Sequence, residues 1–147
     1  MARSERMRAV LILAERAEQE AAREFEACRE RTLAEQQQLE QLQLYREQYV
    51  QEYQSRREGV HPSELISYSG FIQRLAAVLT EQEKKLQHVQ QLLQQCQQQW
   101  QQMHRRKQSI QELIARLKKE ENAALEQKLQ RELDELSSQQ HWHRRET

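Results

Sequence analysis

The fold turns on one short stretch, Arg56-Arg57-Glu58-Gly59-Val60-His61-Pro62-Ser63. Gly59 can adopt the left-handed conformation that ends a helix. Pro62 cannot continue one helix but tolerates the first turn of the next, and Ser63 can cap that next helix by accepting from the amides that follow it. The 147 residues contain 2 Gly and 1 Pro, so almost nothing else breaks a helix. The pattern predicts a first helix over 4–57, a loop over 58–62, a second helix over 63–137 and a frayed tail over 138–147. Gly70 falls inside the second helix at a cost of about 1 kcal/mol relative to Ala. Either it is a tolerated blemish or another backbone comes close there.

Outward from the break, stripe positions recur every three or four residues on both sides. Before it run Met7, Leu11, Ala14, Glu18, Ala21, Phe25, Cys28, Thr32, Glu35, Leu39, Leu42, Arg46, Tyr49 and Tyr53. After it, read backwards, run Leu117, Ile114, Ile110, Lys107, Met103, Trp100, Cys96, Leu93, Val89, Leu86, Gln82, Leu79, Leu75 and Ile72. Residue numbers at equal rank add to 124 or 125. A repeat near 3.5 residues keeps one narrow stripe facing a partner, and a single turn brings two mirrored stripes together. Any two mirrored heptads match in some register, so the contents of the rungs carry the argument. Glu18 falls opposite Lys107, Phe25 opposite Trp100, and Cys28 opposite Cys96. The expected fold is all-α: two long helices forming an antiparallel coiled-coil hairpin, one domain over 1–147, with the second helix overhanging the first.

Composition agrees. Hydrophobic residues are 37%, charged residues 31%, and there are 27 Gln, which is too polar for a globular interior but enough for a seam one or two side chains wide. The Gln-rich run from Gln87 to Gln102 keeps Val89, Leu93, Cys96 and Trp100 on the stripe, so it reads as solvated helix faces. Net charge is zero and the pI near 7.0, which removes any bulk attraction to nucleic acid or anionic membrane. No stretch approaches the roughly 18 apolar residues of a membrane span. The run Ala9–Ala14 after Arg3, Arg6 and Arg8 is too short for a signal-peptide core and is closed by Glu15. Two cysteines without a disulfide framework fit a reducing compartment. We therefore expect a cytosolic protein.

The mirrored register sets Leu117 beside Met7 and leaves residues beyond about Asn122 with no first-helix partner. Leu125, Leu129, Leu133 and Leu136 nevertheless continue an apolar stripe, in a phase that drifts from the heptad. Such a stripe frays, packs on a copy of itself, or binds something else.

Sites for chemistry are scarce. With 2 Gly in all, neither a phosphate-cradling loop nor a dinucleotide fingerprint can be built. His104 lies roughly 12 Å along a helix from Cys96, too far to share a zinc ion with it, and the two thiols read as small apolar seam residues. His141 and His143 sit on the tail and read as part of a disordered terminus. Carboxylates lie beside Arg and Lys on helix faces, where pairing one turn apart explains them. We expect no enzyme, no cofactor and no metal. The cluster His104, Arg105, Arg106 and Lys107 reads as a solvated face, since neutral Gln flanks it and Trp100 belongs to the seam. Near the break, Tyr45, Tyr49, Tyr53, Tyr68 and Phe71 gather; most read as seam residues, with Tyr68 off the stripe as a candidate surface contact.

Three segments carry a resemblance: Tyr45-Arg46-Glu47-Gln48-Tyr49, then Tyr68-Ser69-Gly70-Phe71-Ile72-Gln73-Arg74-Leu75, then Trp100 followed by Arg105-Arg106-Lys107. Their order, the chain length and the single break resemble the FliJ family of flagellar type III export proteins over nearly the whole chain. The resemblance implies a helical hairpin similar to the central stalk of rotary ATPases. It also implies, as partners, a hexameric flagellar export ATPase, the membrane export gate protein and export chaperones, at the inner face of the cell membrane without insertion into it. On that footing Leu125, Leu129, Leu133 and Leu136 are the candidate ATPase contacts, while Phe71, Leu75 and Val78, just past the break, are the candidate gate contacts. For Phe71 and Leu75, clamping Tyr49 and Tyr53 within the seam is an equal reading. Two other classes stay open: a scaffold coiled coil that dimerises through its leucine stripe, and a nucleic-acid-associated hairpin using Arg105, Arg106 and Lys107, against which the zero net charge weighs.

Overall fold

A computed structural model describes residues 2–56, 58–59 and 61–146, the last without its side chain. Helix α1 spans Arg3–Arg56 and helix α2 spans Pro62–Glu146, and no strand occurs among the described residues. The fold is all-α, two long helices packed against each other as an antiparallel hairpin. Arg57, expected to end the first helix, and Val60, expected in the loop, lie outside the described residues, as do Met1 and Thr147.

The break is built differently from the expectation in one respect. Gly59 has φ 92°, the left-handed value anticipated for it. The second helix, however, is capped by His61 and not by Ser63. The His61 carbonyl accepts from the amides of Glu64 at 3.0 Å and Leu65 at 3.4 Å, and its ring Nδ1 accepts from the Ser63 amide at 3.4 Å. Pro62 thereby takes the first helical position, where its missing N–H costs nothing. At the other end, the frayed tail expected from residue 138 is helical through Glu146. No helix breaker follows Gly70, and His143, Arg144 and Arg145 occupy the last turn, where positive charge meets the negative end of the helix dipole.

The chain divides into two compact units. One joins the residues up to Gln19 with those from Gln102 onward; the other is Glu20–Gln101. In the first, Ala14, Ile110 and Ile114 form the buried centre, with Met7 and Leu11 packed on it and Leu117 buried as well. Two polar ties flank this centre. Glu18 Oε2 lies 2.5 Å from Lys107 Nζ and Oε1 lies 3.1 Å from His104 Nδ1. Ser4 is buried, and both its amide, at 3.0 Å, and its hydroxyl, at 2.6 Å, donate to the Glu121 carboxylate. A side chain of α2 thus satisfies an orphan amide in the first turn of α1 and places negative charge at the positive end of its dipole.

In the second unit, Leu39, Leu79, Leu86 and Val89 form the core with Leu42 against them, and Leu79 and Val89 are only 2% exposed. Phe25 stacks on Trp100 with ring centroids 6.2 Å apart and planes 14° apart. The neighbouring Cys28 thiol, with partial burial, pushes the Cys96 thiol up to about 11. Buried Gln82 donates from Nε2 to both the carbonyl oxygen of Glu35, at 3.1 Å, and its carboxylate, at 2.6 Å, so both donors of its amide nitrogen are used across the seam.

Gly70 resolves simply. Among the described residues nothing beyond its own helical neighbours lies within 4 Å of a Cβ built there, and its φ is not positive. No backbone of this chain uses the gap. Gly70→Ala should therefore raise unfolding stability by about 0.5–1 kcal/mol, readable as an increase in the urea midpoint at unchanged slope.

Glu18 supplies a second test. Lys107 first, and His104 second, hold its carboxyl below the ordinary value of 4.5. Because the folded value lies under the unfolded one, this contribution is complete above pH 4.5 and is lost as pH falls through the folded value. Glu18→Gln should cost about 1–3 kcal/mol at neutral pH, and the gap from the parent chain should close in acid when both are unfolded by urea across the acid range.

Candidate partner-binding surfaces

The leucine stripe arises because the seam ends before α2 does. Among the described residues, the most distal hydrogen-bonded tie across the first unit is Ser4 to Glu121. From Asn122 to Arg145 every residue of α2 is exposed, and Leu125, Leu129, Leu133 and Leu136 are 50–60% exposed. They begin more than two turns beyond the buried Leu117, so the hydrophobic face that closes the seam continues uncovered. Covering the exposed half of one such leucine contributes roughly 1 kcal/mol.

The three residues expected to touch the gate are placed unequally. Leu75 is buried, 6% exposed. Phe71 is half-buried, with its ring 4.4 Å from that of Tyr49 and 6.2 Å from that of Tyr45. Val78 is 50% exposed. Together with Arg74 the three line one shallow depression, which adjoins another formed by Tyr49, Ser67, Tyr68, Phe71 and Arg74. The surface is apolar along its floor with a guanidinium at its edge, and Arg74, which donates to the Gly70 carbonyl at 3.4 Å, is the member that sequence reading did not single out.

Tyr68 corrects a second expectation. It is half-buried in the aromatic cluster, with ring centroids 5.8 Å from Tyr49 and 6.5 Å from Tyr53, and Arg56 Nη1 donates to its hydroxyl at 3.2 Å. The physical reason is periodicity. The stripe Leu79, Leu75, Ile72 steps by four and three, so its next step of four is Tyr68, a seam position and not an outlying one.

The basic cluster is split by the same logic. Lys107 and His104 turn to Glu18, while Arg105 and Arg106 are exposed. His104 was the partner not anticipated; it sits one turn before Lys107 and therefore shares its face. Ser4 and Glu121 were also legible in principle, because their numbers add to 125 like the rungs of the seam. Among the described residues no group of three or more His, Cys, Asp or Glu could hold a metal ion, and no helix is long and apolar enough to cross a membrane.

Comparison with protein families matches the family described as Flagellar FliJ protein over residues 3–146. The chain belongs to the FliJ family. Comparison with curated proteins and with solved structures gives no match. Family membership makes this a flagellar, export-related protein, and the match covers both helices and so both the leucine stripe and the Phe71–Val78 face of this FliJ chain.

Single alanine substitutions separate packing from presentation on that face. Leu75→Ala should lower stability by about 2–5 kcal/mol, as a buried leucine does. Val78→Ala should change it by less than about 0.5 kcal/mol, and Phe71→Ala should fall between the two. Urea unfolding of the three variants reads all of these values, and equal losses at Leu75 and Val78 would contradict the placement.

Proposed function

We propose that this FliJ-family chain is a non-enzymatic coiled-coil component of flagellar protein export. In this reading it binds the export ATPase ring through Leu125, Leu129, Leu133 and Leu136, and the export gate through the face that carries Phe71 and Val78. The observation that supports it most is the run of four half-exposed leucines on a helix that outlasts its intrachain partner. A helix end of this kind offers an apolar ridge at helical spacing, which suits insertion between helices of another protein. The protein works at the inner face of the membrane through its partners, not through a span of its own. On the gate side, Leu75 supports the face from within, and Val78 with Arg74 supplies the outward chemistry.

The charge distribution favours protein partners over nucleic acid. Net charge is zero, Lys107 is committed to Glu18, and Trp100 is stacked on Phe25, so the cluster around Arg105 and Arg106 has no stacking ring beside its charge.

Replacing Leu125, Leu129 and Leu133 together by Gln tests the ATPase contact. The expected result is a chain of unchanged seam stability whose co-purification with the export ATPase drops at least about tenfold. A loss of several kcal/mol in unfolding stability, or undiminished ATPase capture, would defeat the assignment.

A further inference from the structure

We propose that, in the free protein, the leucine stripe of α2 closes on the same stripe of a second copy of this chain running antiparallel. The inference does not depend on the ATPase reading, since it concerns what the stripe does when no other protein is present.

The spacing of the stripe reads nearly the same from either end. When two copies are laid antiparallel, Leu125 of each faces Leu136 of the other and Leu129 faces Leu133, giving four rungs whose numbers add to 261 or 262. That is the same one-residue alternation that the intrachain seam uses. All four leucines are 50–60% exposed, so both sides of each rung are free to close.

Charge selects this occupant. At 3.6 residues per turn, Lys128, Glu132 and Glu135 fall along one edge of the stripe. A two-fold antiparallel pair brings like edges together. Each Lys128 then sits between Glu132 and Glu135 of the other copy, and along the opposite edge Glu126 meets the neutral Ser137. A parallel pair would instead bring unlike edges together, so that each Lys128 meets only Glu126 of the other copy and Glu132 and Glu135 are left without a cation. A nucleic acid or an anionic lipid surface fits worse, because residues 118–136 carry four basic side chains against six acidic ones. The edge complementarity is therefore greatest for a second copy in the antiparallel orientation, where each Lys128 meets two carboxylates and not one.

The experiment is sedimentation equilibrium of the full chain over a concentration series, with three variants at these exposed positions. The parent should form a reversible dimer, half-assembled somewhere between roughly 10 μM and 1 mM, as a short stripe of four rungs warrants. Leu129→Glu should weaken dimerisation at least about tenfold with helicity retained. Lys128→Glu should weaken it about 3- to 10-fold by setting acid against acid, and the double variant Lys128→Glu, Glu132→Lys should return it to within about twofold of the parent. A parent that is monomeric throughout the series overturns the proposal. So does a dimer that Leu129→Glu leaves intact, which would use another surface, or one that the double exchange fails to restore, which would not be antiparallel.

Discussion

The register of the first unit depends on one ionic constraint, the carboxylate of Glu18 held between Lys107 and His104. Heptad repeats by themselves allow a helix pair to slide by whole repeats, because each shift of seven residues restores apolar against apolar. Here such a shift would face Glu18 with Trp100 or with Ile114 and leave the carboxylate in the seam without a cation. Leaving the partly buried carboxylate without its cation costs free energy, so the ionic rung disfavours the shifted registers even where the hydrophobic rungs accept them. Ser4 on Glu121 follows from the register so chosen, and within the second unit Phe25 on Trp100 and the two thiols obey the same mirrored numbering.

What sequence reading captured and what it missed divide along one line. The helical hairpin and the facing of Glu18 with Lys107 could be read because they are periodic, and mirrored numbering is a global property of the chain. The local features were harder. His61 displaced Ser63 as the cap because a histidine ring can accept from an amide two residues on while its carbonyl accepts from the first turn, and propensity alone favours serine there. Tyr68 was read as outlying because the ladder was ended one step early. The final turns of α2, expected as a frayed tail from residue 138, are helical, and their basic side chains suit a helix C-terminus.

The candidate surfaces differ in the same way. The exposed leucines were legible because they follow from counting: α2 continues after α1 has ended. The face around Phe71 was not, because a leucine at a seam position and a leucine offered to a partner have the same spacing. Burial decides between them, and burial depends on which neighbours the second unit assembles. Leu75 is enclosed while Val78, three residues on, is not. A residue adjacent to the stripe therefore informs recognition more than one on it.

The clasp between Ser4 and Glu121 has a dynamic consequence. It marks where cooperative protection stops along α2. Amides before it are shielded by packing across the seam, whereas those after it are guarded only by their own helical hydrogen bonds, and an unpacked helix of some two dozen residues is close to its coil equilibrium in water. The distal segment therefore opens with small local free energies, far below that of global unfolding. Any partner that seats on it must supply the entropy of keeping it wound. The same segment can consequently act as a reporter: its hydrogen exchange is fast when the stripe is bare and slows sharply when it is occupied, while exchange in the seam stays unchanged.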